Sequence, residues 1–188
     1  MKEVLLIGGP NGAGKTTAAF EFLPKLKICE FVNADEIARG LNPLQPESQS
    51  VAAARLMLAR IAQLTHQGKS FAFETTCAGA HHSKTLSACK AQGYHITLVF
   101  LWLSSPELAI ERVEHRVKNG GHFIPPTTIR RRYQRGLHDF SNYLMPFADC
   151  AVIYDNSNNL IEKKIIAQKN PQHPLDVYDE AIWKKITG

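Results

Sequence analysis

Eight consecutive residues near the start of the chain have the types and spacing of a phosphate-binding loop. The segment Gly9-Pro10-Asn11-Gly12-Ala13-Gly14-Lys15-Thr16 matches the pattern GxxxxGK(S/T) in full, and Thr17 follows it. Its glycines allow backbone N–H groups to turn toward phosphate oxygens, Lys15 supplies a charge for the β- and γ-phosphates, and the Thr16 hydroxyl is placed to ligate Mg²⁺. The loop predicts a site for ATP and Mg²⁺ that spans Gly9 to Thr17, with Lys15 also acting in catalysis.

A carboxylate, Asp35, follows the second predicted strand in the segment Val32-Asn33-Ala34-Asp35. If the strands are parallel, this end lies beside the phosphate loop, where Asp35 is placed to bind a substrate hydroxyl and accept its proton. An aspartate followed by Glu36-Ile37-Ala38 is also a typical helix N-cap. Both interpretations stay open at the level of sequence.

An acid and a hydroxyl, Glu74 and Thr76, end the third predicted strand, in Phe71-Ala72-Phe73-Glu74-Thr75-Thr76. An acid after an apolar strand resembles the Walker-B position, so Glu74 is predicted to orient Mg²⁺ together with Thr16 and to contact substrate. Thr76 is a candidate hydrogen-bond partner of the substrate. The alternative is a capped strand end without a ligand.

The formal net charge of +5 comes from one segment, because seven Lys or Arg and two Glu lie between Glu111 and Arg135. Such a local cluster indicates a concentrated anionic target, such as phosphates, and argues against a broad nucleic-acid surface. Gly120-Gly121 interrupts the segment, which predicts a helical lid over residues 112–135 with a glycine hinge. The predicted catalytic arginines are Arg112, Arg116 and Arg132, and His122 in the hinge is predicted to touch substrate. A solvated basic helix face is the alternative.

The elements that position these residues alternate along the chain. Apolar runs predict strands at 3–8, 28–33, 70–74, 95–103 and 150–154, the last of them being the final core strand. Helices are predicted at 15–23 (ending near Pro24), 48–66 (with Leu56, Ile61 and Leu64 inward), 82–91, 106–119, 127–144 and near 176–186; residues 160–167 are left undefined. This order indicates an α/β protein, a P-loop NTPase three-layer sandwich with a parallel sheet of about five strands, helices on both faces and a helical lid. Ligands bind at the carboxyl ends of such strands.

The length of 188 residues fits a single domain over 1–188. No apolar run is long enough for a signal peptide or membrane span, so no membrane association is expected. The four cysteines, Cys29, Cys77, Cys89 and Cys150, lack the spacing of zinc ligands or of a disulfide framework. Scattered thiols suit a reducing compartment, and the expected location is cytoplasmic.

The ordered set of motifs resembles the zeta-toxin family of P-loop kinases, over nearly the whole chain to about residue 160. The matching segments are 8–17, Asn33-Ala34-Asp35, Phe73-Glu74-Thr75-Thr76, Gly120-Gly121-His122, Ile129-Arg130-Arg131-Arg132-Tyr133 and Ile153-Tyr154-Asp155-Asn156-Ser157.

The resemblance implies an ATP- and Mg²⁺-dependent kinase that phosphorylates a hydroxyl of a UDP-activated amino sugar, like a UDP-N-acetylglucosamine kinase. Asp35 would be the base, Glu74 and Thr76 would position Mg²⁺ and substrate, and the lid arginines would stabilise the transferred phosphoryl group. The loop that contains Asn156 would border adenine. An antitoxin protein would be the partner.

Two other functions stay open at this level. A kinase for another small molecule, a nucleoside or an antibiotic, shares every feature except the acceptor pocket. An ATP-gated binding module of a toxin–antitoxin pair would need the phosphate loop without the transfer chemistry.

Overall fold

A computed structural model describes residues 1–79, 81–158 and 163–188. One seven-stranded sheet, in the order β2-β3-β1-β4-β5-β6-β7, forms its centre. The strands are β1 (Glu3–Gly8), β2 (Phe31–Val32), β3 (Phe71–Thr75), β4 (His95–Trp102), β5 (Cys150–Asp155), β6 (Lys164–Lys169) and β7 (Asp176–Val177). The helices are α1 (Lys15–Leu26), α2 (Ala34–Leu41), α3 (Ser50–His66), α4 (His81–Ala91), α5 (Pro106–Lys118), α6 (Pro126–Asp139) and α7 (Glu180–Thr187).

The first five strands are parallel, as predicted, and β1 lies between β3 and β4. The prediction that residues 150–154 form the last core strand is wrong, because β6 and β7 extend the same sheet in antiparallel orientation beyond β5. The undefined stretch 160–167 lies partly outside the described residues; its end, from Lys164, is β6.

Both faces of the sheet are buried, so the central strands are apolar throughout. Successive residues of β1 enter opposite cores, since side chains along a strand alternate between its faces: Leu6 packs in one core and Leu5 in the other. The first core includes residues of α3 and α4, and the second includes residues of α1, α5 and α6. Two helical layers therefore enclose the sheet, which confirms the three-layer sandwich.

Helix α3 buries a stripe that differs by one residue from the prediction. Leu56 is 48% exposed, whereas Met57, Ile61 and Leu64 are buried. The spacing of the buried residues, four and then three, follows one helix face, and Leu56 lies about 100° away from it. A short 3₁₀ turn, Pro46–Gln49, precedes the helix.

Three element boundaries also differ from those predicted. Helix α1 contains Pro24 in its last turn and continues to Leu26, and the predicted strand 28–33 is only β2. Helix α6 ends at Asp139, after which a π-helical turn, Phe140–Leu144, carries Phe140 and Leu144 into the core. Within the described residues, no helix is both long enough and apolar enough to cross a lipid bilayer.

Candidate active site

The carboxyl ends of three neighbouring strands bring the predicted site residues together. The phosphate loop follows β1, Asp35 comes after β2, and Glu74 lies at the end of β3. Because these strands are parallel and adjacent, the three segments meet at one edge of the sheet. Both predicted acids thereby reach the phosphate loop.

The phosphate loop needs its glycines for two physical reasons. Gly12 and Gly14 have φ values of 75° and 81°, in the left-handed region that disfavours other residues. A Cβ on Gly9 would collide with the carbonyl oxygen of Leu101 in β4, and one on Gly12 would lie 2.9 Å from Cβ of Arg112 in α5. The loop is thus tightly enclosed between the sheet and α5.

Lys15 and Thr16 at the start of α1 face the acids of the site. Lys15 is 9% exposed, and its Nζ donates a hydrogen bond to the carbonyl oxygen of Pro10 at 2.9 Å. Burial lowers the pKa of Lys15, while the charges of Glu74 and Asp35 act in the opposite direction. The Thr16 hydroxyl donates to Oε2 of Glu74 at 2.8 Å.

The Thr16–Glu74 pair fits Mg²⁺. A hydroxyl and a carboxylate are the hard oxygen ligands this ion takes, with phosphate oxygens and water usually completing its shell. Burial raises the pKa of the Glu74 carboxyl despite the nearby Lys15, so a cation beside it would stabilise its ionised form. Among the described residues, no group of three or more His, Cys, Asp or Glu side chains could hold a metal ion by itself. Phosphate oxygens and water would therefore have to complete the coordination of Mg²⁺.

Asp35 is not the N-cap of its helix, so the capping interpretation is wrong. Asn33 caps α2, with its Oδ1 accepting from the backbone N–H groups of Asp35 at 2.8 Å and Glu36 at 3.3 Å. The Asp35 carboxylate is therefore free of that role, and its side chain is 46% exposed. Its nearest basic partner is His122, with Nε2 3.8 Å from Oδ1.

Two clefts meet at this edge of the sheet. The first, of about 460 Å³, lies along the phosphate loop and α5, and we call it the nucleotide cleft. The second, of about 220 Å³, lies between α2, α3 and the residues after β3, and we call it the acceptor cleft. Four residues line both clefts: Asn11, Lys15, Asp35 and Glu74. A group passing from one cleft to the other would pass these four side chains.

The three predicted arginines divide between the clefts. Arg112 and Arg116 line the nucleotide cleft, and Arg132 lines the acceptor cleft. Arg112 donates to the carbonyl oxygen of Ser157 at 3.0 Å, while the buried Nη1 of Arg112 and Nε of Arg116 have no partner among residues 1–79, 81–158 and 163–188. Burial lowers the pKa of Arg132, against the charge of Asp35. All three cations therefore lie beside the clefts, and Arg112 and Arg116 are incompletely hydrogen-bonded within the described structure.

The Gly120-Gly121 pair caps α5 in an ordered turn. Gly120 N–H donates to the carbonyl oxygen of Val117 at 3.0 Å, and Gly121 N–H donates to that of Arg116 at 2.9 Å. With Gly120 at φ 84°, this is the hydrogen-bond pattern of a Schellman motif. An ordered helix end therefore lies at the predicted hinge, and the hinge motion itself stays a prediction.

The remaining predicted site residues take different places. Thr17 lines the nucleotide cleft, and Thr76 and His122 line the acceptor cleft. Asn156 is 1% exposed and donates to the carbonyl oxygen of Ala13 at 2.8 Å, so it supports the phosphate loop through its backbone. Contact of Asn156 with the nucleotide stays a prediction.

Sequence reasoning missed much of the acceptor cleft. His82 is 5% exposed, lines this cleft and shares a 2.8 Å hydrogen bond with Thr75. Burial lowers the pKa of His82 to about 3, so it is neutral at physiological pH. Glu47 and the apolar residues Met57 and Leu58 complete other parts of the wall. The signal available in the sequence was the position of His82. It lies in the first turn of the helix that follows β3, near the strand end where ligands of parallel sheets bind.

Helix α6 contacts the acceptor loop, which we define as Thr75 to Gly79. The buried carboxylate of Asp139 accepts from Gly79 N–H at 2.9 Å, and a Cβ on Gly136 would collide with the carbonyl oxygen of Thr76. Arg132 lies one turn before Gly136. The helix that carries Arg132 is therefore packed against the loop that carries Thr76.

Comparison with known proteins agrees with this geometry. A family model described as Zeta toxin matches residues 1–164. An uncharacterised protein of Haemophilus influenzae is 28% identical over 125 residues, which are 66% of this chain and 88% of that protein.

Three solved structures share the fold at low identity. A structure from the PezAT chromosomal toxin–antitoxin system of Streptococcus pneumoniae aligns with a TM-score of 0.61 and 18% identity, over 87% of this chain and 72% of its own. The AvrRxo1-ORF1:-ORF2 structure with ATP gives 0.77 and 16%, over 100% of this chain and 64% of that one. A gluconokinase from Sinorhizobium meliloti 1021 gives 0.53 and 14%, over 85% of each chain. The chain has a P-loop kinase fold, and by the family model it belongs to the zeta toxin family.

Proposed function

We propose that the protein is an ATP-dependent kinase that transfers the γ-phosphoryl group to a hydroxyl of a small molecule bound in the acceptor cleft. The observation that carries this proposal is the set of four residues shared by the two clefts. Asp35 and Lys15 belong to that set, so a base and a phosphate-binding cation lie where donor and acceptor would meet.

The side chains have distinct roles in this proposal. The phosphate-loop amides and Lys15 hold the triphosphate, and Asp35 accepts the proton of the attacking hydroxyl. Arg116 from the nucleotide side and Arg132 from the acceptor side stabilise charge on the transferred group. Thr16 and Glu74 would hold Mg²⁺, which would supply positive charge against the phosphates.

For the acceptor, we propose a UDP-activated amino sugar, with UDP-N-acetylglucosamine as the first compound to test. Membership of the family supports this choice, as does a cleft wall that combines the hydroxyl of Thr76 with the apolar surface of Met57 and Leu58. We further propose that 1–188 acts as one kinase domain, in which segment 112–135 is the lid.

A substrate panel tests the proposal. Protein with Mg²⁺ and ATP is incubated with UDP-N-acetylglucosamine, a nucleoside mixture or an aminoglycoside, and mass spectrometry detects a gain of one phosphate. We expect the UDP sugar to be phosphorylated. Phosphorylation of a nucleoside or aminoglycoside alone would keep the kinase and reject the sugar, and no product from any compound would contradict the kinase.

A protein partner of the antitoxin kind is also proposed. Two of the similar structures come from a toxin–antitoxin system and from a two-component AvrRxo1 complex. If the protein is toxic through phosphoryl transfer, Asp35→Asn should relieve growth inhibition on expression. Unchanged inhibition by Asp35→Asn with ATP binding intact would favour the binding-module alternative.

A further inference from the structure

Gly121 has a steric role that is separate from backbone freedom. It is not among the glycines with a positive φ, so another residue would meet no backbone strain there. A Cβ on Gly121 would nevertheless lie 2.6 Å from Cγ of Arg116, 3.0 Å from its carbonyl oxygen and 3.1 Å from its Cδ. The absence of a side chain at Gly121 therefore lets the stem of Arg116 lie across this turn.

The side chain of Arg116 crosses Gly121 and brings its guanidinium group to His122. Its Nη2 donates to the carbonyl oxygen of His122 at 3.3 Å, while its buried Nε has no hydrogen-bond partner among the described residues. One end of the guanidinium is thus held by the protein, and the side chain lines the nucleotide cleft with its hydrogen bonds incomplete.

The side chain of His122 extends from the same turn toward Asp35. It is only 13% exposed, and its Nε2 lies 3.8 Å from Oδ1 of the more exposed Asp35 side chain. This separation is longer than a direct hydrogen bond, so the ring and the carboxylate are neighbours without a direct bond. A single residue therefore contacts the lid arginine through its backbone and approaches the proposed base through its ring.

We propose that Gly121 and His122 form a bracket that positions Arg116 and Asp35 relative to each other across the junction of the two clefts. Both act as positioning residues for the transfer, because they hold the groups that face phosphate and hydroxyl. The inference rests on the proposed function only for its catalytic consequence; the contacts themselves are testable without activity.

The charges around the His122 ring come from several elements. Asp35 on α2 and Glu47 on the 3₁₀ turn raise the pKa of His122, whereas Arg39 on α2 and Arg116 on α5 lower it. Burial lowers this pKa most, and Arg132 on α6 lines the same cleft. A shift in the position of Arg116 or of Asp35 should therefore change the pKa of the His122 ring.

Imidazole NMR titration of the whole protein tests the contacts directly. Asp35→Asn should lower the pKa of His122, since a negative charge that favours its protonation is removed. Gly121→Ala should raise it, since the Arg116 charge that disfavours protonation is pushed away. Gly93→Ala is the matched control: that glycine has φ 76°, none of the described residues lies within 4 Å of an added Cβ, and it lines neither cleft, so the change costs stability without moving Arg116. Equal His122 titration in Gly121→Ala and Gly93→Ala would overturn the Arg116 arm, and an unchanged pKa in Asp35→Asn would overturn the Asp35 arm.

Kinetics test the consequence. Gly121→Ala should reduce kcat by about 10-fold or more with little change in nucleotide KM, because an arginine at the transferred phosphate can be worth roughly 10³–10⁵ in rate. Gly93→Ala should keep kcat while lowering Tm. His122→Ala should reduce kcat by about 10-fold, and His122→Gln, whose amide nitrogen can take the place of Nε2, should recover most of it. Wild-type kcat in His122→Ala, or equal losses in His122→Ala and His122→Gln, would contradict the bracket. If the pKa of His122 shifts as expected in both variants but no acceptor is phosphorylated, the kinase proposal is rejected and the bracket is retained.

Discussion

At the scale of single residues, the site contains buried charges that the ligand-free fold does not fully stabilise. Burial lowers the pKa of Lys15 and raises that of Glu74, although the two attract each other. One nitrogen each of Arg112 and Arg116 is also buried with no hydrogen-bond partner in the part of the chain that the structure describes. Such groups are expected where a triphosphate and a cation supply the missing interactions, and they imply lower stability in the absence of ligand.

Glu74→Gln should therefore raise the Tm of the ligand-free protein at neutral pH while removing Mg²⁺-dependent transfer. Because the pKa of Glu74 in the folded state lies above its ordinary value of 4.5, ionisation favours the unfolded chain as pH rises past that value. The stability gain should accordingly be present at neutral pH and disappear below about pH 4, where Glu74 itself is protonated. Thermal denaturation at several pH values measures this.

Glu114→Gln, which removes an exposed carboxylate from α5, is the control and should change stability by no more than about 0.5 kcal/mol. A Tm for Glu74→Gln at or below that of the wild type at neutral pH would show that the carboxylate is well stabilised by Lys15 and Thr16.

At the scale of elements, the contact between α6 and the acceptor loop links substrate binding to the position of Arg132. Gly136 lies directly against the carbonyl of Thr76, and Asp139 binds the amide of Gly79. Both contacts join the backbone of the loop to the helix. A change at this junction is expected to affect the acceptor more than ATP.

Gly136→Ala should lower the free energy of unfolding by about 1–3 kcal/mol, as overpacking of a tight contact does. It should also raise the KM for the acceptor more than the KM for ATP, which steady-state kinetics with each substrate varied can separate. Gly40→Ala in α2 is the matched control, since nothing lies within 4 Å of its added Cβ; it should be neutral or stabilise by up to about 1 kcal/mol. Equal changes in both KM values for Gly136→Ala would remove the selective link to the acceptor loop.

The elements could be predicted to the extent that local pattern determines them. The run Val4 to Ile7 is apolar because both faces of β1 are covered, and the glycines after it specify the loop. The apolar pattern predicted helix α3, but it placed Leu56 on the buried face where the structure has Met57. In a sequence with so many apolar residues, the pattern defines the buried face only to within about one residue. Gly120-Gly121 is compatible in sequence with a hinge and with a helix cap, and the bonds to Val117 and Arg116 show the cap. His82 offered only its position as a signal, because its burial and its hydrogen bond to Thr75 of β3 depend on the folded structure.

At the scale of the whole molecule, the topology explains why residues distant in sequence share one site. The order β2-β3-β1 brings Asp35, Glu74 and Lys15 to adjacent strand ends, a consequence of parallel connections that the alternating elements already indicated. The antiparallel β6 and β7 were not predicted, because β7 has only two residues and β6 begins and ends with lysine. Their formation depends on the pairing of β6 with β5 and of β7 with β6 more than on their own pattern.

Ligand binding at this shared edge should stabilise the entire fold. At a Mg·ATP concentration 100 times its Kd, the gain is about 2.7 kcal/mol, which corresponds to a rise in Tm of about 5–10 °C for a chain of this length. Lys15→Ala should lose most of that shift while keeping the Tm of the ligand-free protein, since its buried amine is disfavoured by desolvation. A full shift in Lys15→Ala would place the nucleotide elsewhere.

The central claim is that phosphoryl transfer occurs where the two clefts meet, with Asp35 as the base. A ³¹P NMR time course with Mg·ATP and UDP-N-acetylglucosamine, recorded for the wild type and for Asp35→Asn at matched nucleotide saturation, tests it most directly. We predict ADP and a new phosphomonoester signal from the wild type, and a rate lower by roughly 10²–10⁴ in Asp35→Asn with unchanged ATP affinity. Formation of the phosphomonoester at equal rates by both proteins would contradict the claim.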